Sequence, residues 1–152
     1  MKTIRLASLV LSVALVLTGC GGGSSSTADT LTDVAFTSLE QSTQSGQATL
    51  KTSVISTQAE WDAAWRAYTV AAVPPPAVDF PRQQVLAVYL GQRPSGCQTV
   101  LIQRVQDSAT QRVVSWSERV PGPTELCIAV VVTPVHFVRV GASTLPVDFR
   151  KL

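Results

Sequence analysis

A chain of 152 residues with 45% apolar side chains is long enough to bury a single hydrophobic core. Its formal charge is only +2, with twelve basic residues scattered against ten acidic ones and no basic stripe. That balance excludes an electrostatic footprint for nucleic acid or for an anionic surface.

At the start of the chain, Lys2 and Arg5 flank an apolar run from Leu6 to Leu17, which ends at Thr18-Gly19-Cys20. A charged start, a short apolar stretch and small residues at a cut site make a secretion signal. A spanning helix needs roughly 20 apolar residues, more than this run supplies. A cut placed before a cysteine is how bacterial lipoprotein signals read. Residues 1–19 are therefore expected to be removed and Cys20 to be the lipidation site, carrying a diacylglycerol on its thiol and a further acyl chain on its amine. Several chains anchor a protein durably where one does so only marginally. Loss of Lys2 and Arg5 leaves the mature chain neutral. Gly21 stands where aspartate commonly retains lipoproteins in the inner membrane. The expected localisation is thus the cell envelope, outer membrane ahead of inner, with the lipid as the membrane contact.

Gly21-Gly22-Gly23-Ser24-Ser25-Ser26-Thr27 follows, a composition that behaves as flexible coil. Polar residues dominate to about Gly46, so residues 20–46 read as a lipidated tether with an r.m.s. reach of roughly 25–30 Å. Leu31, Val34, Phe36 and Leu39 interrupt it, and the alternative is a short extra element docked on the domain. The folded domain is expected over residues 47–152.

Thr57 followed by Glu60 forms a capping box, and Trp61, Ala64, Trp65 and Tyr68 then fall on one face of a helix. The tryptophans are expected to anchor a core. Pro74-Pro75-Pro76 prevents continuation of that helix. Strands are expected over Ala48 to Ile55, Val85 to Leu90, Thr99 to Gln106, Arg112 to Glu118, Leu126 to Thr133, Val135 to Val140 and Pro146 to Phe149. The apolar run at Val85 suggests a strand buried on both faces. Glycine and proline punctuate the gaps. One early helix, many strands and no βαβ alternation give an α+β fold, a mostly antiparallel sheet domain with one N-terminal amphipathic helix.

With Cys20 acylated, Cys97 and Cys127 remain, and an oxidising compartment favours one disulfide between them. Their Cα atoms must then lie within about 7 Å. A metal site would need more ligands, and His136 is the only histidine. No metal and no cofactor is expected. Gly91 to Gly96 has the glycine spacing of a phosphate loop, but Cys97-Gln98 and a strand follow where lysine, a hydroxyl residue and a helix are required. A serine nucleophile would need His136 as base, with Asp79 or Asp148 to orient it. A lone histidine within a strand pattern is expected to be structural, so the chain is read as non-enzymatic.

Thr57-Gln58-Ala59-Glu60-Trp61, Val78-Asp79-Phe80, the strand Val85 to Leu90, the turn Gly91-Gln92-Arg93-Pro94-Ser95-Gly96 and Thr133-Pro134-Val135-His136-Phe137-Val138 occur in that order. This order resembles the C-terminal domain of the protease complex subunit PrcB family, over about Leu50 to Val140. The resemblance implies an accessory lipoprotein that associates with an exported or surface protease complex and is not itself the peptidase. Pro94-Ser95-Gly96 matches the family's turn, whereas Cys97 replaces a second glycine and Gln98 an aromatic residue. The turn Arg93, Pro94, Ser95 and Gly96, together with Pro121-Gly122-Pro123, is the expected partner-binding surface unless both are merely connections. The partner expected is a protein, with a secreted or surface protease as the leading candidate. A protease inhibitor presenting the proline-containing loop is the alternative.

Overall fold

A computed structural model describes residues 30–68 and 73–152. The signal sequence and Cys20 lie outside the described residues. In chain order the elements are β1 (Thr32–Asp33), β2 (Phe36–Ser42), β3 (Lys51–Ile55), α1 (Gln58–Tyr68), β4 (Gln83–Tyr89), β5 (Thr99–Asp107), β6 (Arg112–Arg119), β7 (Val135–Gly141) and β8 (Val147–Lys151). The architecture is mostly antiparallel β-sheet with one short helix. Two four-stranded sheets run β1-β5-β6-β8 and β2-β7-β4-β3, and only the β6–β8 pair is parallel.

Alternation along β4 and β7 explains how the layers stack, because successive strand residues face opposite sides. Leu86 and Val88 of β4 and Val138 and Val140 of β7 meet Val100, Ile102, Val105, Val114 and Trp116 from the other sheet. Val85, Ala87, Tyr89, Val135 and Phe137 face the opposite way, against Trp61 and Trp65 of α1. The sheet containing β4 is therefore buried on both faces, as its uninterrupted apolar run implies.

The helix begins as its capping box requires. Glu60 N–H donates to Thr57 Oγ1 at 3.2 Å, and Ser56 and Thr57 N–H donate to Glu60 Oε2 at 3.0 and 3.2 Å. Those donors hold the Glu60 carboxyl below the usual carboxylate range. Both indoles are buried, and each N–H is satisfied by a carbonyl of the following segment, Trp61 to Pro76 and Trp65 to Val73 at 2.9 Å each. The Trp61 and Phe137 rings pack edge-on at 5.1 Å.

Two expectations are corrected here. Leu126 to Thr133 is not a strand; only Val132 and Thr133 make isolated bridges, to Arg93 and Gln44. Strand propensity needs a surface to pack on, and Leu126 is 99% exposed with no such surface. The segment is held instead by Cys127 and by a few hydrogen bonds. In the second case, residues 32–42 do not continue the tether but form β1 and β2. Phe36 to Ser42 pairs with β7 along its whole length, apart from a bulge between Ser38 and Glu40. Val34 and Phe36 pack on the core between the sheets and Leu39 on the helix side, so the apolar interruptions are what recruit this stretch.

Candidate partner-binding surface

The turn after β4 is built around Gly91, whose φ is 76° and whose added Cβ would lie 2.7 Å from the Ala48 carbonyl oxygen. Only glycine fits that backbone. Arg93 then exchanges two backbone hydrogen bonds with Val132, at 2.8 and 2.9 Å. Its guanidinium donates through Nε to Glu118 Oε1 at 2.5 Å and through Nη1 to the Gln92 carbonyl at 2.9 Å. Lys151 Nζ reaches the other Glu118 oxygen at 2.7 Å, so one carboxylate ties the turn to β6 and β8. Hydrogen bonding from Arg93, the largest influence, holds the Glu118 carboxyl below its ordinary range.

Ser95 and Gly96 are committed as well. The Ser95 N–H donates to Gln98 Oε1 at 3.2 Å, and Ser95 Oγ accepts from Cys97 N–H at 3.3 Å. Gly96 N–H donates to the Ile128 carbonyl at 3.0 Å, and a Cβ on Gly96 would lie 2.6 Å from Ile128 Cγ1. The structure thus brings Arg93, Pro94, Ser95 and Gly96 together, with Pro94 the one exposed residue of the four. A phosphate could not use this turn as a cradle, since the Gly96 donor is occupied and β5, not a helix, follows.

Cys97 and Cys127 form the expected disulfide, with Cα atoms 5.7 Å apart. Glu125 lies beside both sulfurs, but two bridged sulfurs offer no thiolate ligands. Arg119 pairs with Glu125 and donates to the Cys97 carbonyl at 2.7 Å. Beside this exposed ion pair the staple is flanked by exposed apolar side chains, Leu126 at 99%, Ile128 at 73% and Val131 at 59%, with Val120 and Val130 nearby in the chain. The apolar composition of Leu126 to Val131 reads as a strand, which hid these residues as a surface. The available signal was a run without polar alternation, bounded by Pro123 and Pro134 and pinned at Cys127.

The histidine is placed where it cannot act as a base. Ile102 N–H donates to His136 Nδ1 at 2.8 Å, so the neutral ring carries its proton on Nε2, which faces Ser38 Oγ at 2.9 Å. The proton runs from histidine to serine, opposite to what nucleophile activation needs. His136 is 2% exposed, and burial pushes its pKa down to about 4. Asp79 and Asp148 are paired elsewhere, with Arg82 and Arg150. No family model, curated protein or solved structure matches this chain.

Proposed function

We propose that this chain is the globular end of a lipid-anchored envelope protein, a non-enzymatic accessory module that captures a protein partner through the apolar segment around Cys127. The observation that carries this reading is the exposure of Leu126, Ile128 and Val131 on a backbone already fixed at Gly96, Cys127 and Val132. Several large apolar side chains exposed along one short segment are the kind of surface that marks an interaction site. A pre-ordered segment also binds without losing much conformational freedom.

Topology supports the orientation. Thr32 pairs with Asp107 at the far end of β5, whereas Cys97 precedes its first residue. Nine residues of strand span roughly 27–30 Å. A tether from Cys20 would join the domain at one pole and leave the apolar segment at the other, turned away from the lipid surface. The resemblance to the PrcB family makes an exported protease complex the first partner to test. A regulator of such a protease is the second reading, favoured by exposed Pro94 standing between the Arg93–Glu118 pair and the disulfide. Inhibition assays of the purified protein against secreted proteases separate the two.

The decisive experiment is crosslinking in intact cells with the unaltered protein and a Leu126→Ser, Ile128→Ser double variant. Substitution at sites this exposed leaves folding stability within about 0.5 kcal/mol. The crosslinked partner is expected to disappear while the melting temperature holds. Undiminished crosslinking would discard the surface assignment, and a Cys20→Ala chain that still fractionates with membranes would discard the anchor.

A further inference from the structure

Strand β3 is the outermost strand of its sheet and pairs only with β4. Alternate peptide groups of an edge strand point outward, and among the described residues no backbone hydrogen bond reaches that side of β3. Proteins usually close or protect such an edge, because it is a template for another strand. Here α1 stands back from it. The helix turns Ala63, Ala64 and Ala67 toward Ser53 and Ile55, and short side chains leave a groove of about 450 Å³ beside the open edge.

Two donors, the Lys51 ammonium and the Tyr89 phenol, belong to residues that line this groove. Lys51 and Tyr89 are directly opposite in the β3–β4 register, with Nζ 6.0 Å from the ring centroid. Tyr89 is 7% exposed and lines the groove, and its hydroxyl has no hydrogen-bond partner among the described residues. Burial raises its pKa to about 12, so the phenol stays protonated and able to donate. Lys51 makes no ion pair among the described residues. The carboxylate among the lining residues, Glu60, is turned onto the N–H groups of Ser56 and Thr57. An ammonium beside an unpaired phenol matches a carboxylate, the acceptor that makes the strongest hydrogen bonds to such donors.

We propose that the groove between β3 and α1 is a strand-addition site for a short extended peptide whose carboxylate is held by Lys51 and Tyr89. Main-chain bonds to β3 supply affinity, and the alanine-lined cleft accepts alternate small apolar side chains, in the manner of peptide recognition at open sheet edges. The five residues of β3 match a peptide of four or five residues. This surface is distinct from the apolar segment at Cys127 and stands independently of it.

The test uses the full chain in detergent and a library of random pentapeptides with free C-termini. The best-enriched peptide is titrated while backbone amide shifts are followed by NMR. Shifts are expected at residues 51–55 and 63–67. Amidating the peptide's terminus or making Lys51→Glu is expected to weaken binding at least tenfold, and Tyr89→Phe at least threefold. N-methylation of alternate peptide nitrogens is expected to abolish it. Enrichment no greater than with the Lys51→Glu chain, shifts confined to other residues, insensitivity to amidation on the unaltered protein, or a dimer formed through β3 itself would each overturn the proposal. None of these readouts involves Leu126 or Ile128, so the two proposals fail separately.

Discussion

His136 sits where two strands lose register. The β5–β6 pairing shifts between Ile102 and Arg104, and the β2–β7 pairing between Ser38 and Glu40. The imidazole bonds to Ile102 and Ser38 at these irregularities and so links both sheets. Its pKa falls from the ordinary 6.5 to about 4 on burial, so the unfolded chain takes up a proton first as pH drops. The associated stability is complete above pH 6.5, is lost progressively toward pH 4, and amounts to roughly 3 kcal/mol. Urea titrations at pH 7.5, 5.5 and 4 are expected to show that loss, and His136→Gln is expected to flatten it. Arg112 is the second buried polar bracket, 2% exposed, with two bonds to Asp107 at 2.7 and 2.8 Å and one to the Gly141 carbonyl at 2.7 Å. Hydrogen bonding from Arg112 keeps the Asp107 carboxyl below its ordinary range. Arg112→Ala would leave that half-buried carboxylate and the Gly141 carbonyl unpaired, and a destabilisation of about 1–3 kcal/mol is expected by chemical denaturation.

Among the elements, the start and the buried face of α1 were legible because their signals are local, whereas its end at Tyr68 was not marked. Thr57 and Glu60 meet in the cap, and the spacing of Trp61 and Trp65 sets the buried face. The strands β4 to β7 were legible from runs of apolar and β-branched residues, with ends displaced by a residue or two. Leu126 to Val131 has the same composition and is not a strand: its side chains are exposed, and the only bridges nearby are those of Val132 and Thr133. The disulfide, with the backbone bonds of Ile128 to Gly96 and Val132 to Arg93, keeps this segment in place. With a sequence separation of 30 between its cysteines, the disulfide stabilises the fold by roughly 3–4 kcal/mol on the chain-entropy account. A Cys97→Ser, Cys127→Ser chain is expected to show that loss in guanidinium unfolding. Its amide exchange should rise first over residues 91–97 and 126–132.

For the whole molecule, β1 and β2 change what counts as the domain. β2 contributes a full edge to the sheet that carries β4 and β7, β1 adds a short edge to the other sheet, and Phe36 and Leu39 each reach one of the two cores. A chain beginning at Gln47 would expose the outer side of β7 and the apolar surface beneath Phe36. Such a chain is expected to aggregate or lose its cooperative melting transition, whereas one beginning at Thr30 keeps both; calorimetry and light scattering distinguish the two.

What the residues alone determined were the features governed by neighbours in sequence: the capped helix, the apolar strand runs and the pairing of Cys97 with Cys127. The tertiary structure decided which apolar stretch finds a partner. It drew Phe36 into a sheet, left Leu126 in solvent, closed Arg93 onto Glu118 and opened the edge of β3. Those outcomes depend on which surfaces remain free once the other strands have paired, a competition between distant segments that no local pattern records.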